Sequence, residues 1–253
     1  MIHIKSAEEI NKMRRAGRIV AEVLERMREW VVPGVTTGEL DRQAEEVIRG
    51  HNAIPSFKGY PPGSVFPFPA TICASVNDEL VHGIPGPRVL QEGDIVSIDV
   101  GAVLDGYHGD AAVTLPVGEI PEETQRLLQV AEGAFAAGMA QARSGRRAGD
   151  ISAAIQNYVE RRGYNVVREY TSHGIGRQMH EEPQVPNFGR AGRGVLLRAG
   201  MAIALEPMVL AGDYRVRVLD DHWTVVSADG QLTAHFENTI YIRDGEAEIL
   251  TQL

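Results

Sequence analysis

At 253 residues and 43% hydrophobic content, the chain can bury a substantial core, as one large domain or as two fused halves. A formal net charge of -9 argues against nucleic acid or anionic lipid as partner. The opening Met-Ile-His-Ile-Lys lacks the apolar run of a signal peptide, no stretch approaches the roughly 20 apolar residues of a membrane span, and the single cysteine, Cys73, cannot close an internal disulfide. A reducing cytoplasm is the expected location.

Ser6 with Glu9 forms a capping box, after which Ile10, Met13, Gly17, Val20, Leu24, Met27 and Val31 recur at helical spacing until Pro33-Gly34. Thr36 with Glu39 starts a second helix bearing Leu40, Ala44, Val47 and Ile48, stopped by Gly50. Residues 55–69, rich in Pro, Gly and aromatics, read as an irregular loop. Strand character begins at Thr71 and runs to about Asn77, and Asp105-Gly106 then joins strands over 94–104 and 107–115 as a hairpin.

The cycle then repeats. Pro121-Glu122-Glu123 opens a helix carrying Leu127, Leu128, Ala131, Phe135 and Met139, and Asp150 is expected to cap another that ends before Gly163. Strands follow over 165–169, 201–210, 214–219, 223–226 and 232–242. Two helices followed by strands, twice over, predicts an α+β fold in one domain over 1–253, with similar halves 1–120 and 121–253 and helices covering a mainly antiparallel sheet.

Asp99 sits among apolar residues on both sides, where an isolated carboxylate is costly. A two-residue turn at Asp105-Gly106 sets Asp110 opposite Gly101 and Asp99 opposite Ala112, so the two aspartates share one face, with Gly101 expected to leave room between them. Glu206 ends the apolar run Met201-Ala-Ile-Ala-Leu205, Glu237 lies in His235-Phe-Glu-Asn-Thr239, and His173 opens a glycine-rich loop. Singly, each acid has the ordinary reading of an edge or capping residue; together they point to cations. Four carboxylates balance two divalent ions, and oxygen donors with imidazole suit Mn, Fe, Co or Zn.

Beyond these acids, the chain resembles the short bacterial form of type I methionine aminopeptidase over essentially its whole length. The resemblance is carried by Ser75-Val-Asn-Asp-Glu-Leu-Val-His-Gly-Ile-Pro85, Gly93-Asp-Ile-Val-Ser-Ile-Asp-Val100, Asp105-Gly-Tyr-His-Gly-Asp110, His173-Gly-Ile-Gly-Arg-Gln-Met-His-Glu-Glu-Pro183, Ala204-Leu-Glu-Pro207 and His235-Phe-Glu-Asn-Thr239. It implies the duplicated pita-bread fold, a curved antiparallel sheet under two helix pairs. It also implies removal of the initiator methionine from nascent polypeptides whose second residue is small, by a water or hydroxide bridging two metal ions. Asp99 would chelate the first ion, Asp110 and Glu237 would bridge, and His173 with Glu206 would complete the second, Glu206 also moving the proton. His82 would hydrogen-bond the substrate backbone and His180 would stabilise the oxyanion. A monomer is expected, and transient ribosome contact is compatible with the substrate.

By the same resemblance Tyr60, Phe68, Cys73, Met179 and Trp223, with Phe57 close by, line an apolar pocket for the methionine side chain. Two departures concern that pocket: Met179 stands where the family commonly has an aromatic, and the stretch Pro61–Pro67 is longer than the family's usual link. His108 and His235 share the ligands' strand parity without matching a family ligand and are read as supporting or packing residues; His3, His51 and His222 are read as surface groups. The rivals are a proline-cleaving relative, which carries a further N-terminal domain, a type II enzyme with an inserted helical domain, and a non-catalytic peptide-binding module, which would have lost ligands.

Overall fold

A computed structural model describes residues 2–253. Helices α1 (Ala7–Trp30) and α2 (Thr37–Gly50) start where the capping boxes place them. The Ser6 and Thr36 hydroxyls accept from the Glu9 and Glu39 N–H groups, and each glutamate returns the bond to the cap's own N–H. Such caps contribute about 1 kcal/mol each.

Strands β1 (Ile54–Pro55), β2 (Ile72–Val76), β3 (Glu79–Val81), β4 (Ile95–Leu104) and β5 (Tyr107–Pro116) complete the first half. Then come α3 (Glu122–Met139), α4 (Ala148–Glu160), β6 (Asn165–Val166), β7 (Thr171–Gly174), β8 (Glu181–Pro186), β9 (Ala202–Leu205) and β10 (Met208–Leu210). The chain ends with β11 (Val216–Val218), β12 (Val225–Ser227), β13 (Thr233–His235), β14 (Glu237–Tyr241) and β15 (Glu248–Ile249).

A nine-stranded sheet follows the path β1-β4-β5-β14-β9-β7-β8, with β2 also on β4 and β15 also on β14; β13-β10-β6 and β11-β12-β3 form two smaller sheets. Every strand pair is antiparallel. One face of the large sheet is closed by helices: α1 and α2 bury Ile19, Val20, Val23 and Leu40 against Ile98, Val100, Ala111 and Val113. On the other half, α3 and α4 bury Leu127, Phe135, Ile151 and Ile155 against Ile203, Leu205 and Ile240. Gly109 lets α1 cross β5 closely, since a Cβ there would lie 2.7 Å from the Gly17 nitrogen, while the bare Gly17 face of α1 admits the Leu250 carbonyl.

Four expectations need correction. Asp150 does not cap α4: it is the third helical residue, and its carboxylate accepts from the N–H of Arg147, which is held extended by a bridge to Leu196. The segment 201–210 breaks at Glu206-Pro207, where proline supplies no N–H to the ladder. Segment 232–242 breaks opposite it, at Phe236, whose N–H still donates to the Pro207 carbonyl. Both strands therefore leave the large sheet together and re-pair as β10 and β13. Finally, His173 lies on strand β7, not on a loop: pairing with β9 imposes extended structure on a segment of weak intrinsic strand preference.

Candidate active site

The open face of the large sheet collects the predicted acids by register. Cys73 pairs with Asp99, Asp99 with Ala112, and Ala112 with Glu237, which makes one row across β2, β4, β5 and β14. The adjacent row runs from Gly101 through Asp110, whose backbone N–H and carbonyl both bond the Thr239 hydroxyl, to Thr239, Ala204 and His173. Glu206 stands where β9 leaves the sheet, its N–H donating to the Ser172 hydroxyl. The hairpin register is therefore as expected, and alternation puts the acids of both rows on one face.

Gly101 has a different purpose from the one inferred. A Cβ there would meet Ser56 at 2.7 Å and the Phe57 ring at 2.8 Å, so its missing side chain admits the pocket wall and not a second carboxylate.

Ligand atoms of Asp110, His173 and Glu237 lie within 4.8 Å of one another, and so do those of Asp99, His235 and Glu237. His173 Nε2 is 3.5 Å from Glu206 Oε1. Among the described residues no lysine or arginine ion-pairs with these four acids, and Asp99 Oδ1, Asp110 Oδ1 and His235 Nε2 are buried without a hydrogen-bond partner. Burial pushes the Asp99 carboxyl up to about 7, against an opposing pull from His235. Asp110 and Glu237 are driven well up, first by burial and then by their acidic neighbours, and Glu206 by burial. Unpartnered oxygens in a dry, like-charged cluster are a donor set that fits divalent cations.

These shifts predict how the metal-free protein responds to pH. A carboxyl whose folded pKa is raised favours the folded state below its ordinary pKa, and that contribution is lost as pH rises through the folded value. The buried histidines, His82 and His108 at about 4 and His173 at about 3, have the opposite slope, but only below their ordinary value near 6.5. About one unit above that value the histidine contribution is complete and the carboxylates dominate. Thermal unfolding of chelator-treated protein should therefore fall in Tm from about pH 7.5 to about 8.5, and stoichiometric Co(II) should flatten that decline; parallel curves with and without metal would refute the account.

The pocket residues also converge. Phe57, Tyr60, Phe68, Cys73, Met179 and Trp223 enclose a space of about 130 Å³ that opens onto Asp99, Asp110, His173 and Glu237. Tyr60 and Phe68, at the two ends of the long stretch 61–67, are held together because Gly59 N–H donates to the Phe68 carbonyl and Phe68 N–H to that of Tyr60. Its Phe66 carbonyl accepts from Trp223 Nε1 at 3.1 Å, bracing the opposite wall. A larger cleft of about 790 Å³, reaching Lys5, Tyr170 and Gln184, meets the pocket at His82, His173 and His180.

Both remaining predicted histidines stand at that junction. His82 holds φ +61, a left-handed conformation uncommon outside glycine, with its ring edge-on to Tyr170 and Trp223. His180 Nδ1 is 2.6 Å from the Tyr60 hydroxyl, and burial lowers its pKa, so the ring is neutral near pH 7. Reading the sequence did not find the support beneath it: Lys5, buried, pairs with Glu181 at 2.8 Å and anchors the turn carrying Met179 and His180. Nothing in local sequence links residues so far apart. His108 bonds Ser56 at 2.9 Å, His51 pairs with Glu22 on the surface, and His222 stacks on Phe66, all as supporting or surface groups.

Comparison with known proteins gives the same picture. The profile of metallopeptidase family M24 matches residues 11–244. The chain is 54% identical to a methionine aminopeptidase of Clostridium acetobutylicum over 252 residues, 99% of each chain. It is 50% identical to methionine aminopeptidase 1 of Bacillus subtilis over the full length of both. The crystal structure of a methionine aminopeptidase from Thermotoga maritima superposes with a TM-score of 0.97 at 46% identity and covers all of both chains.

Proposed function

The chain belongs to metallopeptidase family M24, and from that membership and the geometry of the cleft we propose a methionine aminopeptidase that removes the N-terminal methionine of newly made polypeptides in a metal-dependent reaction. The observation that carries this reading is the meeting, at one point, of an acid-rich donor set and an apolar pocket walled by Phe57, Phe68 and Trp223. The fold is the pita-bread fold of the family.

In this proposal Asp99, Asp110, His173, Glu206 and Glu237 hold two divalent ions, of the Mn, Fe, Co or Zn class that such donors favour. Bound there, the ions offset the carboxylate charge, polarise the scissile carbonyl and lower the pKa of water enough to provide a nucleophile near neutral pH. The methionine side chain fills the pocket, where a thioether makes dispersion and sulfur–aromatic contacts without needing a polar partner. His82 hydrogen-bonds the substrate backbone near the leaving nitrogen. His180 donates to the carbonyl oxygen as negative charge develops on it. Glu206 accepts the proton of the attacking water at a carboxylate oxygen and returns it to the departing amine.

Polypeptides beginning with methionine before a small residue are the substrate class, which carries with it a cytoplasmic location; among the described residues no helix is long and apolar enough to cross a membrane. A monomer that meets nascent chains at the ribosome is the simplest working form. Purified protein supplied with divalent metal should release methionine from Met-Ala-Ser, release it at least about 10-fold more slowly from a peptide with a bulky second residue, and leave a Xaa-Pro peptide intact. Xaa-Pro cleavage without methionine release would instead favour a proline-cleaving enzyme on the same fold.

A further inference from the structure

His235 is held as firmly as the acids around it. It ends β13, pairs with Met208, and its N–H donates to the Thr114 hydroxyl at 2.8 Å while its carbonyl accepts from the same hydroxyl at 2.9 Å. The imidazole is 2% exposed, and Nε2 has no hydrogen-bond partner. A buried, unpaired polar nitrogen costs free energy unless something absent from the bare polypeptide satisfies it.

Where that nitrogen points is informative. Nε2 lies 3.6 Å from Glu206 Oε2 and 3.9 Å from Glu237 Oε2, outside hydrogen-bond reach of both. Two donors each about 2.1 Å from one ion are at most about 4.2 Å apart, so the 3.9 Å to Glu237, the residue common to both donor groups, suits a shared cation, while Glu206 is assigned to the ion on the His173 side. The two donor groups also match in composition. Glu237 belongs to both, and each adds one aspartate and one histidine: Asp110 with His173, and Asp99 with His235.

We propose that His235 is a sixth protein donor, binding through Nε2 the divalent ion held by Asp99. The inference rests on the two-ion reading above and adds one ligand to it. Its consequence is chemical: without His235 the Asp99 ion has carboxylate oxygens alone, a set that suits Mn(II), whereas an added imidazole favours Co(II), Fe(II) or Zn(II).

Loss of a group that merely supports a ligand also weakens metal binding, by about 10–100-fold, so affinity cannot decide the matter alone. The deciding measurement is proton NMR of the full chain loaded with two equivalents of Co(II), in which only coordinated imidazoles give contact-shifted ring protons. The expected spectrum has two such imidazoles. His235→Gln should remove one and weaken one Co(II) equivalent by at least about 100-fold, with Mn(II) binding changed far less. A single shifted imidazole in the unmodified protein, lost in His173→Gln and kept in His235→Gln, overturns the inference and leaves the two-ion reading standing. Failure of the unmodified protein to take up Co(II) stoichiometrically overturns that reading, and the inference with it. The unmodified spectrum decides even if His235→Gln does not fold.

Discussion

Asp110→Ala and Glu237→Ala should each lower kcat for methionine release from Met-Ala-Ser by at least about 10³-fold, equivalent to about 4 kcal/mol of transition-state stabilisation, and remove most of the bound metal. Glu237 belongs to both donor groups, and the backbone of Asp110 is fastened at N–H and carbonyl by Thr239. The places beside them in the rows are Ala112 for Glu237 and Gly101 and Thr239 for Asp110, none of which carries a carboxylate that could take over. Isothermal titration with Co(II) and a peptide assay check both halves of the expectation. The metal-free variants provide a control for folding. With one fewer crowded carboxylate they should melt close to the unmodified metal-free protein at pH 8, since relief of repulsion offsets the small cavity left by truncation. Activity within about 10-fold of the unmodified enzyme in both variants would mean that the bridging roles are wrong.

Much of this centre could be read in the sequence because an antiparallel hairpin converts numbering into geometry. Once Asp105-Gly106 is taken as the turn, Asp99 and Asp110 must share a face, and the structure has that register. Both capping boxes were legible for the same reason: their interactions span three residues and depend on little else. What sequence could not supply depended on distant partners. His173 is in a strand only because β9 lies beside it, and Glu206 and Glu237 sit at a shared bend that neither segment announces alone. The purpose of Gly101 was misread because Ser56 and Phe57 come from another part of the chain. His235 is the subtlest case. Its parity with Glu237 was visible, but the unpaired nitrogen that separates a donor from a packing residue exists only in three dimensions.

His180→Ala should reduce kcat by about 10²-fold with KM changed little, since a donor aimed at developing charge acts mainly in the transition state. Burial keeps the ring neutral, so only one of its nitrogens carries a proton. Burial also raises the Tyr60 pKa, which keeps its hydroxyl protonated and able to donate to Nδ1 across 2.6 Å. The proposed donation to the carbonyl oxygen requires the ring proton on Nε2, and a Tyr60 hydroxyl donating to Nδ1 selects that tautomer. Tyr60 is thus a positioning residue as well as a pocket wall, and Tyr60→Phe separates the two functions: the ring and its packing remain while the tautomer is released. Its kcat should fall about 10-fold with KM for Met-Ala-Ser nearly constant. In the double variant His180→Ala, Tyr60→Phe, the second substitution should cost nothing further, because the group it orients is already gone. Additive losses would show that Tyr60 acts on the substrate directly and that His180 takes its orientation from elsewhere.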